Sequence, residues 1–325
     1  MKLSLHSSLR KCVLLLIVAI TTHFSSFSQL SAGNYFEAGI TAGPMVFMGD
    51  LGGHFGRGTT FLKDYNMQST RLSVGIMATA HPSELVGIRL ALNYGELTGD
   101  DAYIKGMGGL EEARRNRNLD FKTQITEAFV VGEIYPTVLF EDDPTDVWGR
   151  LRPYGLIGVG VFHFNPQGSY IDPSSGYKTW VYLRPLHTEG EGFPEYPNRK
   201  NYSLTQINIP MGLGVKFFLS KTVNISFEII HRKTFTDYID DVSTTYIDPS
   251  LFALHLSPGQ AAIANVIYNK SPMRSSNPGD LYAPGSERGN SSQNDAFFTA
   301  AFKIGFRLGV GQEWRNSTHC PLLRF

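Results

Sequence analysis

A two-residue alternation of bulky apolar with small or polar side chains recurs eight times in this chain, and no stretch reaches the ~18 uninterrupted apolar residues of a membrane-spanning helix. From Gln206 to Phe218, Ile207, Ile209, Met211, Leu213, Val215 and Phe217 alternate with Gln206, Asn208, Pro210, Gly212, Gly214 and Lys216. Successive side chains of a strand point to opposite faces, so one face is greasy and the other small and polar. The same period carries Ala296, Phe298, Ala300, Phe302, Ile304, Phe306 and Leu308 against Asp295, Thr299, Lys303, Gly305 and Arg307. We read strands over 35–49, 70–81, 86–98, 119–137, 151–165, 203–218, 223–238 and 295–309. Each exceeds the ~9–11 residues that a tilted strand needs to cross a bilayer. Both faces of 151–165 are apolar, and 119–137 is long enough to hold a bulge.

The connections between these strands run about 20, 4, 20, 13, 37, 4 and 56 residues, long alternating with short. Such a rhythm implies two unlike sides. It predicts an all-β fold, an eight-stranded antiparallel up-and-down transmembrane β-barrel with short periplasmic turns and long extracellular loops. A soluble β-sandwich has no reason to sort its loops by length. With 33 glycines, 12% aromatics and only 18% charged residues, the composition is also unlike that of a helix-rich soluble enzyme. An even strand number places both mature termini in the periplasm and the protein in the cell outer membrane.

Lys2, Arg10 and Lys11 precede the apolar run Cys12 to Ile20, and small polar residues follow to Ser28, the order of a secretory signal peptide. The expected organisation is a signal peptide over 1–28, the barrel over 29–309 and a periplasmic tail over 310–325. Cleavage would leave Cys320 as a lone cysteine, so no internal disulfide holds the fold. It would also remove three basic and no acidic residues, which leaves the mature chain slightly acidic. Lys plus Arg equals Asp plus Glu at 29 each in the full chain, giving no bulk positive charge for nucleic acid.

An eight-stranded barrel is just wide enough for side chains to fill. The inward positions Arg71, Arg89, Lys216, Glu228, Arg232, Lys303 and Arg307, with Glu127 and Glu133 as counter-charges, are expected to form a packed polar network rather than line a wide pore. A gate or proton path is the functional alternative for the same residues. Gly155 to Gly160 superficially suggests a dinucleotide loop, but it lies within a strand instead of opening a helix. Residues Leu110 to Arg117 after the glycine-rich Lys105 to Gly109 could form a short helix but lack phosphate-loop spacing and read as a surface loop, whose Arg114, Arg115 and Arg117 suit either an anionic ligand or a solvated charge cluster. The histidines show no helical zinc spacing, and no metal or cofactor is expected. Asp237, Asp240, Asp241 and Asp248 could gather around calcium or simply cap a loop. His231 close to that acidic run in sequence leaves a rim-active enzyme as a remote alternative; no catalytic residue and no small-molecule substrate are expected.

Several segments together resemble the PorG family, the OmpA-like outer-membrane barrel of the type IX secretion system. They are Gly49-Asp50-Leu51, the run Arg117 to Phe121 with Glu127 and Glu133, Pro153-Tyr154, and Gln206 to Gly214. To these are added Thr236 to Tyr246, Arg288-Gly289-Asn290, Asn294-Asp295 and Cys320-Pro321. The resemblance covers most of the mature chain, and the 237–246 run and the Cys320-Pro321 ending are its more specific parts. It implies a non-enzymatic component, embedded in outer-membrane lipid, that anchors the periplasmic PorK and PorN ring for protein secretion. A general structural or adhesive OmpA-like barrel without a secretion role is the alternative. A ring partner would reach only the periplasmic side. There Glu141, Asp142, Asp143 and Asp146 beside Trp148 make an acidic surface with an aromatic centre. Trp148 equally suits a membrane-interface anchor, and Cys320 suits either a partner cysteine or a free thiol. The long final loop and the ending Leu322 to Phe325 depart from the family, which puts the same periplasmic contacts in doubt.

Overall fold

The computed structural model describes residues 35–53, 67–104, 111–140, 150–273 and 280–308. The expected signal peptide, the turn residues Asp142, Asp143, Asp146 and Trp148, and the tail with Cys320 lie outside the described residues. Eight strands form the barrel: β1 (Tyr35–Met48), β2 (Arg71–His81), β3 (Val86–Asp100), β4 (Asp120–Ile134), β5 (Leu151–His163), β8 (Thr205–Phe218), β9 (Val223–Thr234) and β10 (Ala296–Leu308). A hairpin of β6 (Gln167–Ile171) and β7 (Lys178–Tyr182) extends β4 beyond the wall. Among the described residues three α-helices, α1 (Glu111–Arg117), α2 (Ser250–His255) and α3 (Pro258–Ile267), sit in the long connections. No helix among the described residues is long and apolar enough to cross a membrane, which is silent about strands.

The barrel strands pair in the order β3-β2-β1-β10-β9-β8-β5-β4, and β3 pairs with β4 to close the ring. All neighbours are antiparallel. Closure leaves the barrel wall itself without an edge, so the wall's backbone donors and acceptors can pair in a medium that offers no water. Each ladder keeps one register from end to end. The bulge allowed for within 119–137 is absent: β4 matches β3 from Asp100↔Asp120 to Val86↔Ile134 and β5 from His163↔Thr126 to Gly155↔Ile134 without a slip.

An unbroken register preserves the alternation of faces along each strand. The outer wall carries rows such as Ile40, Ile76 and Leu92 across three neighbouring strands, all about half exposed. Leu213, Val159 and Phe302 continue the belt on the far side, each more than 60% exposed. So large an unbroken apolar surface has no place in water and matches a lipid-facing band. The two apolar faces of β5 resolve in the same way. Ile157, Val159 and Val161 face out, whereas Tyr154, Leu156 and Phe162 are buried inside.

Ile76 lies mid-strand in the lipid-facing row, so Ile76→Arg should cost about 2–4 kcal/mol of barrel stability. Lys221→Arg in the β8–β9 turn should cost nothing measurable; unfolding in urea, read by heat-modifiable gel mobility, compares the two.

Candidate functional site

The interior of the barrel is filled in two charged layers. Toward the short turns, Arg89 donates to both oxygens of Glu228 at 2.8 and 3.1 Å, and its Nε lies 3.1 Å from Glu133. The Tyr154 hydroxyl donates to Glu228 at 2.7 Å, and the Tyr135 hydroxyl to Glu133. Lys303 Nζ stands 3.7 Å from both carboxylates. Alongside, Lys216 and Asn224 donate to Glu37 at 2.9 and 3.0 Å. Nearer the long loops, Arg232 binds both oxygens of Glu127, at 3.2 and 3.3 Å, and lies against the rings of Phe129 and Phe297. Asn208 and Asn93 also donate to Glu127. Thus the four acids Glu37, Glu127, Glu133 and Glu228 face the four bases Arg89, Lys216, Arg232 and Lys303, all at most 3% exposed.

Two of the basic residues expected in this network stand outside it. Arg71 is in phase with the inward face but lies at the rim, where it is 40% exposed and 3.4 Å from Glu96. Arg307 occupies the opposite rim, against the rings of Tyr35 and Phe218. Glu37 and His81 are interior residues that the alternation did not single out. Glu37 is in phase with Gly39, Thr41 and Gly43, a face of such small side chains that a lone acid there signals little. His81 ends its strand beside Tyr35, the two rings stacked 4.2 Å apart.

Above the charged layers the barrel turns apolar. Met45, Phe47, Leu97, Phe121, Ile125, Phe162 and Phe297 form one core with Leu186, Phe193, Ile239, Val242, Phe252 and Ala264 of the long loops. The mouth is therefore stoppered by the same hydrophobic core that folds the loops.

Two buried arginines tie those loops to one another. Arg117, on the 101–119 connection, donates to Asp101 at 2.8 Å, to the Asp50 carbonyl at 2.6 Å and to the Arg288 carbonyl. Arg288, on the 235–295 connection, donates to Glu189 at 2.9 Å, to the Asp241 carbonyl at 2.7 Å and to the Tyr268 carbonyl at 3.2 Å. Glu189, on the 164–204 connection, accepts in turn from the Ser243 and Thr244 amides. All four long connections meet at this hub. Arg114 is buried as well, whereas Arg115 is half-buried 3.8 Å from Glu112, so the three arginines of α1 are not a solvated cluster.

The acidic run after β9 is divided by the fold. Asp248 is exposed and caps the start of α2 through the Ser250 amide. Asp241 has φ +66° and turns its carboxylate to the hydroxyls of Thr188 and Tyr202. Asp237 and Asp240 instead join Asp50 and Asp295. Asp240 accepts from the Leu51 amide at 3.0 Å, Asp50 from the Asn290 amide at 2.7 Å and Asp295 from the Ile239 amide at 2.8 Å. Burial first and neighbouring carboxylates second push Asp237, Asp240 and Asp295 upward from the ordinary acid range. Burial also raises Asp50, to about 6 against the opposing pull of Arg117. His231 is no partner to these acids, since its phase on β9 is that of the outward-facing Ile229 and Phe227.

No protein-family model matches the chain, and no curated protein matches it in sequence. Solved structures do resemble it. Ail, the attachment invasion locus protein of Yersinia pestis, shares 7% identity over 85% of this chain and 97% of that one, at a TM-score of 0.34. Neisserial surface protein A shares 10% over 85% and 97%, at 0.32. A major outer membrane protein from Thermus thermophilus shares 11% over 85% and 100%, at 0.37.

Removing one member of a buried ion pair leaves its partner's charge uncompensated, so Arg89→Met should destabilise the barrel by about 3–5 kcal/mol. Arg89→Met combined with Glu228→Gln should recover much of that loss, as measured by urea unfolding in detergent.

Proposed function

We propose that the chain is a non-conducting, non-enzymatic outer-membrane barrel that serves as an anchor, and that its role is to hold the periplasmic PorK/PorN ring of a type IX secretion system. The filled interior carries the first half of this reading. Four acids and four bases occupy the barrel's width and an aromatic core stoppers its external mouth, so there is little for a solute to pass through. The charged residues have each other as partners, and a residue committed to holding a neighbour's charge in place is poorly free to act on a substrate. The lipid-facing band and the long-loop, short-turn sorting of the connections support the outer membrane as its site.

The second half rests on the resemblance of the motifs to the PorG family. The acidic turn with Asp142, Asp143, Asp146 and Trp148, and the tail with Cys320, are the proposed contacts on the periplasmic side. A structural or adhesive barrel without a secretion role is the competing reading. What favours it is the outer surface, where stapled loops present Tyr177, Tyr182 and Leu254, each more than half exposed, on a firm base.

In planar bilayers the purified protein should show no steady conductance above the lipid background. From detergent-solubilised outer membranes it should co-purify PorK-like and PorN-like proteins, and folded Trp148→Ala or a chain truncated after Gly311 should lose them. A stable ion current would overturn the solid-barrel reading; capture of no ring protein by the wild type would leave the adhesive reading in its place.

A further inference from the structure

The strongest unexplained feature lies in the cap rather than in the barrel. Asp50, Asp237, Asp240 and Asp295 come together because Gly49-Asp50-Leu51 passes between the other two segments. Gly49 packs directly on the Asp295 carboxylate, and the Leu51 amide donates to Asp240. The segment around Asp237 is wrapped on Asp295, whose amide donates to the Thr236 carbonyl and whose Oδ2 accepts from the Ile239 amide. All four are at most 9% exposed. Neither oxygen of Asp237 nor Oδ1 of Asp295 has a hydrogen-bond partner of acceptable geometry among the described residues, although the Ser243 hydroxyl stands near Asp237.

The charges facing this cluster come from two connections. Arg117 and Arg114 approach from α1, and Glu189 adds a further negative charge from the 164–204 connection. Arg117 spends its side chain on Asp101 and two backbone carbonyls, Arg114 reaches the Gly52 carbonyl, and Arg288 is bound to Glu189. No ion pair reaches any of the four aspartates among the described residues. Four buried carboxylates without a paired cation cannot all remain charged in so dry a place. Their neutralisation has to come from protons or from a metal ion. No three His, Cys, Asp or Glu side chains among the described residues are arranged to ligate a metal. Protons also meet the need of the orphaned oxygens, since a protonated carboxyl donates a short, strong hydrogen bond to a neighbouring carboxylate.

We infer that the external cap is latched by protons held within the cluster of Asp50, Asp237, Asp240 and Asp295, and that the loops it joins loosen as the medium turns alkaline. Opened loops would release these protons near the ordinary aspartate value of about 4. The folded cap retains them to higher pH, about 6 for Asp50 and about 9 for Asp237. The latch is therefore at full strength below the ordinary value, weakens as pH climbs and is lost above the folded values. Each proton released on opening changes the opening equilibrium by about tenfold per pH unit within that window.

The test is limited proteolysis of the full chain in detergent micelles. Cleavage within 236–245 is compared between wild type, Asp237→Asn and Asp295→Asn at the same pH from 5 to 9, after heat-modifiable mobility has shown each barrel to be folded. The amide imitates the protonated acid, so the variants should be cut as slowly as wild type at pH 5 and at least about tenfold more slowly at pH 9. Identical pH trends in wild type and both variants would overturn the latch, as would fast cleavage of both folded variants at every pH. Protection of wild type at pH 9 by 1 mM calcium chloride, reversed by EDTA and absent in the variants, would overturn it in favour of a metal site.

Discussion

The ladder between β3 and β4 turns a sheet into a barrel, and the rest of the molecule depends on it. It runs without a slip from Val86↔Ile134 to Asp100↔Asp120. In hydrocarbon each unpaired backbone group costs several kcal/mol, so an open edge there would be intolerable. Closure in one register also decides which residues face inward. A shift by one residue would put Glu127 and Glu133 into lipid and Val130 and Ile134 into the interior. The charges in the barrel and the register of its wall are thus one constraint seen from two sides.

That interior is a balance of large opposing quantities. Desolvating an ion costs several kcal/mol, and the charge of a partner returns it only where geometry is good. Arg89 meets the condition by engaging two acids at once, and Arg232 by gripping both oxygens of Glu127 between two aromatic rings. The close fit extends to the wall, where Gly214 has no side chain because the Tyr154 ring lies over it. A barrel packed in this way has little internal freedom to open.

The barrel was legible in the sequence because its two signals are local. Alternation is set by the strand itself, and loop length by which side a connection lies on. The observed strand ends fall within a few residues of those read from the pattern. The same logic explains the failures. Arg71 and Arg307 have the inward phase, but phase is silent on depth, and both sit at rims where a polar neighbour or an aromatic ring suffices. Glu37 was hidden by a face of glycine and threonine. The cap was almost illegible, since its partners are far apart in the chain: Leu51 with Asp240, Arg117 with Arg288, Glu189 with Thr244. The β6–β7 hairpin and the helices α2 and α3 carry no strong period and are held by tertiary contacts instead.

Barrel and cap are not separate layers, because the apolar core continues from Phe121 and Phe162 inside the wall to Val242 and Phe252 in the loops. A loop tied only at its tips could move without consequence, but here Thr234 at the end of β9 donates to the carbonyls of Thr236 and Asp295, where the acid cluster begins. Immediately below, Arg232 joins Glu127 to Thr299 on β10. The foot of the cap and the upper charged layer of the barrel are thus held by residues two apart on β9. Two ways of burying charge meet at this boundary. In the barrel, basic side chains neutralise acids; in the cap, the acids lie close together with their arginines engaged elsewhere. Charge balanced by protons follows the pH of the medium directly. The response to pH inferred for this protein accordingly begins at the cap.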